Sequence, residues 1–199
     1  RRSHKRGVVG MVVAKQDTLG KLLVGTNRLR VPRYQRKYSW KREQWELLWG
    51  DVVRLARERL KRPSETHFVG SVVLARQVGP SRFPADGLLV VDGQQRIVTL
   101  SLLLCAIRDQ NYQFSSRRSE TRIRRCLSWS DPTSASGQDL IDLLKVVPTE
   151  DDRDAFLWMV FGAEHHPKHH VFAAYSYFLD ELTRLEENRE RGQARITVE

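Results

Sequence analysis

The chain has 199 residues, 40% of them hydrophobic, with 34 Lys and Arg against 24 Asp and Glu and a sequence pI of about 10.1. That length supports one domain of ordinary size with its own core, and a net charge of +10 points to a polyanionic partner: nucleic acid, nucleotide phosphates or an anionic membrane. No apolar run reaches the length of a membrane span and no signal-peptide pattern opens the chain, so it reads as cytoplasmic, where its two cysteines, Cys105 and Cys126, form no disulfide and fit no metal spacing.

Residues 1–16 read as a basic tail. Asp17 is placed to N-cap a short helix through Leu22 and Leu23, with Gly25 as its stop. "RLRVPRYQRKYSW" follows, extended and punctuated by Pro32. Ser39 can cap the next helix, in which Trp45, Leu48, Trp49, Val52 and Leu55 recur at helical spacing to about Leu60. "KRPSET" breaks it. "HFVGSVVLARQ" has the β-branched enrichment of a strand, and Gly70 within it marks a bulge or a close backbone approach. "VGPSRFPADG" reads as a loop and "LLVV" as a second strand. From 97 to 107 apolar residues cover nearly the whole helical circumference, the pattern of a buried helix. "DQNYQFSSRRSETRIRRC" is polar and basic, a loop with room for a short helix. From Gln138 onward the reading is helical. Thr149 and Asp152 have capping-box spacing ahead of "DDRDAFLWMVFG", which Gly162 closes, and a last helix spans about 170–188. The charged residues beyond it are expected to fray or to lead into a further domain. Strands and helices in these proportions give an α+β class.

The chemistry concentrates in "VVDGQQRIVT", residues 90–99, where two amides and a guanidinium stand between a strand and a buried helix. One reading is local. Asp92 and Gln95 have capping-box spacing, Gly93 eases the turn, and Gln94 and Arg96 face solvent. The other is functional. A strand running into a helix N-terminus presents free N–H groups and the positive end of the helix dipole, which is an anion site before any side chain is counted. Arg96 adds a fork suited to phosphate oxygens. Gln94 and Gln95 can bond phosphate, ribose or an attacking water, and Asp92 can hold Mg²⁺ or order Arg96. The spacing is not that of a P-loop.

The second constellation is residues 28–42, with seven Lys and Arg, no acid, and Tyr34, Tyr38 and Trp40 interleaved. It reads either as a solvated strand edge with its rings tucked inward or as a groove tracking a phosphodiester backbone through Arg33, Arg36 and Lys37. Three other signals favour bland readings. "HHPKHH" holds solvated imidazoles because Pro167 interrupts any shared helix. Trp40, Trp45 and Trp49 follow the helical repeat and belong to the core. Arg117, Arg118, Arg122, Arg124 and Arg125 form a solvated face.

Taken in order, "VPRYQRKYSW", "HFVGSVVL", "VVDGQQRIVTLSLLLCAI", "VVPTEDDRDAF" and "AAYSYFLDEL" resemble the N-terminal domain of the GmrSD family of DNA-modification-dependent restriction proteins, over about residues 17–187. The resemblance implies a ParB-like small mixed sheet with helices over 17–110 and a helical subdomain over 111–199. It implies binding and hydrolysis of a nucleoside triphosphate, GTP favoured, at Asp92, Gly93, Gln94, Gln95 and Arg96. Asp92, Gln94, Gln95 and Arg96 would be catalytic, and Mg²⁺ is the candidate cofactor. Tyr34, Gln35 and Arg36 would line the same cleft and, with Arg33 and Lys37, contact double-stranded DNA. The Arg-rich style is most similar to the phosphorothioate-sensing antiphage effectors of the family, which implies sulfur-modified DNA as the partner and an HNH nuclease domain elsewhere in the same full-length protein. A homodimer is compatible with this reading. The competing expectations are a non-catalytic DNA-binding module that recognises another modification, and a phosphodiesterase, which the lack of a His/Asp metal cluster disfavours.

Overall fold

The computed structural model describes residues 15–76, 87–111, 117–130, 138–162 and 169–190. The basic tail up to residue 14, most of the 78–87 loop, His165, His166, Pro167 and the residues after 190 lie outside that set. Seven helices are described: α1 (Leu19–Val24), α2 (Arg42–Lys61), α3 (Gln94–Asn111), α4 (Arg117–Leu127), α5 (Gln138–Leu143), α6 (Glu150–Phe161) and α7 (His170–Glu190). They surround one sheet of β1 (Arg28–Arg30), β2 (Val73–Arg76), β3 (Gly87–Asp92) and β4 (Val146–Val147), in the order β2-β3-β1-β4. β1 is parallel to both β3 and β4, and β2 is antiparallel to β3. The α+β expectation holds.

Register explains which face is buried. Leu29 pairs with Leu88 and with Val146, and Leu74 pairs with Val90, so these apolar residues share one face of the pleat. Leu29, Val90 and Val146 are all but inaccessible and join a single core with α3. That helix is buried around its circumference, as its composition predicts, from Gln94 through Ile97, Leu102 and Cys105 to Arg108. Its buried hydroxyls are satisfied within the helix: Thr99 donates to the Gln95 carbonyl and Ser101 to the Ile97 carbonyl. Arg108 donates to the Met159 and Val160 carbonyls at the end of α6, where a cation is favoured.

Several expectations need correction. The N-cap of α1 is Thr18, whose hydroxyl accepts the Lys21 N–H, while Asp17 accepts the Thr18 N–H from one residue earlier. Ser39 caps nothing. α2 starts at Arg42 and the Gln44 amide oxygen accepts the Lys41 N–H. Only the second half of the 67–77 run is strand, because Gly70 at φ +101° cannot continue a pleat. The helical reading after Gln138 is interrupted by β4, where two buried valines add a strand beside β1. The sheet and core thus draw on residues from both sides of position 110. Gly25 and Gly162 end their helices as expected, Gly162 in the left-handed region at φ +75°.

Candidate functional site

The three parallel strands place their carboxyl ends on one edge of the sheet, the edge at which open α/β sheets bind ligands. β1 leads there into the basic segment 31–37, β3 into Asp92-Gly93 and the start of α3, and β4 into Pro148, Thr149 and α6. β2 is antiparallel, so its beginning reaches the same edge: Val73 pairs with Asp92, and Gly70, Ser71 and Val72 lie beside Gly93 and Arg96. The two constellations singled out in the sequence are therefore neighbours.

Amide side chains fasten one to the other. Gln95 is 7% exposed. Its Nε2 donates to the Lys37 carbonyl (3.2 Å), and its Oε1 accepts from the Ser39 N–H (2.8 Å) and the Trp40 N–H (3.3 Å). Gln94, equally buried, donates to the Arg36 carbonyl (3.2 Å), and Gln35 donates back to the Val91 carbonyl (2.8 Å). The capping-box reading of Asp92 and Gln95 is overturned, since Gln95 is turned to the 37–40 backbone. Below these bonds, the Tyr38 hydroxyl sits 2.7 Å from the Thr99 hydroxyl and accepts the Trp45 indole N–H at 2.8 Å. Burial pushes the Tyr38 phenol well above its ordinary range, against the opposing pull of those two bonds.

Gly93 turns the chain at φ +85°, and a Cβ there would stand 3.0 Å from the Ser71 carbonyl oxygen and 3.1 Å from Val72. Only glycine combines that dihedral with that approach. Arg96 reaches across the same segment. Its Nη1 donates to the Ser71 carbonyl (2.8 Å), and its guanidinium occupies the space where a Cβ on Gly70 would lie, 2.6 Å away. The close approach expected at Gly70 is thus made by Arg96.

A small cleft of about 10 Å³, the size of one water, is lined by Val31, Arg36, Tyr38, Gln94, Gln95, Val98, Pro148, Thr149 and Asp152. Asp152 is 2% exposed. Its Oδ2 accepts the Tyr38 N–H and the Thr149 hydroxyl, both at 2.6 Å, while His169 Nε2 stands 3.8 Å from Oδ1. His170 Nε2–H donates to the Trp40 carbonyl (2.6 Å), and its ring lies against Tyr38 and Trp45. Both imidazoles have partners, and His170 is exposed at the start of α7, as expected of "HHPKHH". Over this buried frame the outer surface carries Arg33, Tyr34, Arg36, Lys37 and Asp92, all exposed. Arg33 is engaged with Glu150 at 2.8 Å.

The match to a family model settles kinship. Residues 19–190 match the GmrSD restriction endonuclease, N-terminal domain. The chain belongs to this family. No curated protein matches its sequence. As a GmrSD N-terminal domain it is a component of a restriction system, and DNA and a nuclease domain of the full protein are the partners the family suggests. Among the described residues no helix is long and apolar enough to cross a membrane, and no three His, Cys, Asp or Glu side chains group to hold a metal.

The sequence-predicted residues Asp92, Gly93, Gln94, Gln95 and Arg96 and the predicted segment 33–37 are brought together at this edge. Sequence reasoning gave no site role to Asp152, Thr99, Ser71 or His170, and of its two readings of Tyr38 the ring tucked inward is the one seen. Of these, Asp152 carried a signal: it is a short acid read as a cap, and its carboxylate instead accepts the Thr149 hydroxyl and the N–H of Tyr38, 114 residues away. The tryptophans behave as expected of core residues, with Trp45 and Trp49 buried, and Arg122, Arg124 and Arg125 are exposed.

Proposed function

We propose that this domain senses modified duplex DNA, with phosphorothioate as the favoured modification, and couples that event to binding and hydrolysis of a nucleoside triphosphate, GTP favoured. It does so in the cytoplasm, as the control module of an antiphage restriction effector whose HNH nuclease domain lies elsewhere in the full-length protein. The observation that carries this reading is the convergence of Asp92–Arg96 and the basic segment 33–37 on the carboxyl-end edge of the parallel strands. The α3 N-terminus supplies dipole and N–H groups for phosphate, and Arg96, held by Ser71, supplies a guanidinium beside it. Asp92 is the carboxylate on hand for Mg²⁺, which binds through one or two carboxylates together with substrate phosphates. Gln94 and Gln95 act by fixing the DNA-facing segment against the nucleotide loop, so that contact at one is felt at the other. Arg33, Tyr34, Gln35, Arg36 and Lys37 form the DNA face.

The test is phosphate release from GTP, ATP, CTP and UTP by the full-length protein. It is run alone, with an unmodified duplex, and with the same duplex carrying phosphorothioate. Turnover stimulated by the sulfur-bearing duplex is expected. Equal, background-level release in all arms would sink the enzymatic reading. The competing reading, a non-catalytic DNA-binding module, has one observation in its favour. Both motif amides are engaged with backbone carbonyls of 36 and 37, as they would be in a purely architectural joint. DNA binding without turnover is its signature.

A further inference from the structure

Eight large apolar side chains stand exposed among the described residues, and four of them, Tyr34, Phe68, Val73 and Val91, flank the Asp92–Arg96 motif. Phe68 is the most open of all, at 80%. Two residues on, Gly70 is packed against the Arg96 guanidinium, and the next residue, Ser71, accepts the Arg96 hydrogen bond at 2.8 Å and lies against Gly93. Two residues of chain span at most about 7 Å, so the ring is held within reach of the motif. A bare phenyl ring presented beside this edge contributes nothing to the core.

Charge decides the occupant. Arg96 lies against Gly70, two residues from this ring, and the basic segment fastened to the same motif by Gln94 and Gln95 carries Arg36 and Lys37. Arg33 is partly neutralised by Glu150, and Asp92 is the opposing carboxylate of the motif. A second copy of the chain would bring the same excess of positive charge, whereas a phosphodiester backbone complements it. Apolar rings beside such cations touch DNA through thymine methyls, sugar faces or an opened base step.

We infer that Phe68 is a DNA contact, its ring lying against the sugar and base edges of a duplex whose phosphates run over Arg36 and Lys37. This rests on the DNA-sensing reading above. Tyr34 and Phe68 then bracket the nucleotide motif from two different segments, one following β1 and one preceding β2.

The experiment uses the full-length protein and measures duplex affinity against salt for wild type, Phe68→Ala and Phe68→Trp. Phe68→Ala should weaken binding roughly 5- to 100-fold, the range of aromatic contacts removed by alanine. It should leave the log–log salt slope unchanged, because no phosphate contact is lost, and the melting temperature unmoved. Phe68→Trp should bind and give a fluorescence difference from wild type that is quenched as DNA saturates. If wild type itself fails to bind DNA, the DNA-sensing reading falls and takes this one with it. If wild type binds and Phe68→Ala binds equally well, only the Phe68 assignment falls. A salt slope that drops in Phe68→Ala, or a dimer that dissociates in it, would equally overturn the contact.

Discussion

Two neighbours in one motif do different work, and substitution separates them. Gln95 is buried with three bonds to residues 37–40, two of them accepted from the Ser39 and Trp40 N–H groups. Gln95→Ala leaves those groups without their acceptor and opens a cavity, so unfolding free energy should fall by about 2–4 kcal/mol. Chemical denaturation measures it, and a loss under about 0.5 kcal/mol would mean the clamp contributes nothing. Arg96 is half-exposed and has one backbone bond. Arg96→Ala should leave the melting temperature nearly unchanged and abolish nucleotide turnover; full turnover at saturating nucleotide would remove Arg96 from the chemistry. Tyr34, 75% exposed, belongs to neither class. A ring beside cations suits a soft, poorly hydrated sulfur better than a phosphate oxygen. Tyr34→Ala should therefore lower the affinity ratio between matched phosphorothioate and ordinary duplexes while basal hydrolysis persists. An unchanged ratio would place sulfur recognition elsewhere.

Elements meet at this edge through two glycines with positive φ, and the two respond differently to a methyl group. At Gly93 a Cβ would press on the Ser71 carbonyl and the Val72 backbone, which cannot yield without moving β2. Gly93→Ala should cost about 1–3 kcal/mol of stability on backbone strain alone. At Gly70 the obstruction is the end of the Arg96 side chain, which can swing away. Gly70→Ala shares the strain of a positive φ, +101° here, but not the backbone clash, so it should lose less stability than Gly93→Ala while losing turnover, because Arg96 is displaced from Ser71. Thermal melts and phosphate release on the two variants separate these outcomes, and identical behaviour would contradict the geometry. The same comparison shows what the sequence could and could not reveal. Periodicity exposed α2, α3 and α7 because each follows one rule along its own length, as Trp45, Leu48 and Trp49 do. The motif was equally plain, since Asp92-Gly93 ends a run of apolar strand residues. What local patterns cannot carry is partnership. Val146-Val147 is too short to announce a strand and becomes one only beside β1. Asp152 has a cap's spacing, but its ligand to the Tyr38 N–H comes from 114 residues away. Ser39 resembled a cap because its real acceptor, Gln95, lies 56 residues on.

At the scale of the whole molecule, proton and salt dependence follow from groups already placed. Tyr38 and Tyr175 both titrate well above the ordinary value of 10.0, with burial the leading cause in each. Their folded-state pKa values are raised, so the folded protein keeps protons that the unfolded chain releases. Stability is full below pH 10 and falls as pH rises beyond it, by up to about 1.4 kcal/mol per pH unit for each tyrosine. Equilibrium unfolding across alkaline pH should steepen above 10 in wild type and less so in Tyr38→Phe. The net charge of +10 sets the behaviour toward DNA. Each phosphate contact releases counterions and adds about 0.7–0.9 to the log–log salt slope. Arg36 and Lys37 have exposed side chains on the proposed DNA face, so Arg36→Ala or Lys37→Ala should shrink the slope by about 1. Arg33 differs because Glu150 holds it at 2.8 Å in a largely exposed pair. Such a pair is worth at most about 1 kcal/mol, which a phosphate can outbid. Glu150→Gln frees the guanidinium and removes a repelling carboxylate. It should tighten duplex binding at low salt, with the gain vanishing as salt rises and screening takes over. Binding that weakens in Glu150→Gln, or a gain that survives at high salt, would show that Arg33 and Glu150 stand away from the DNA path.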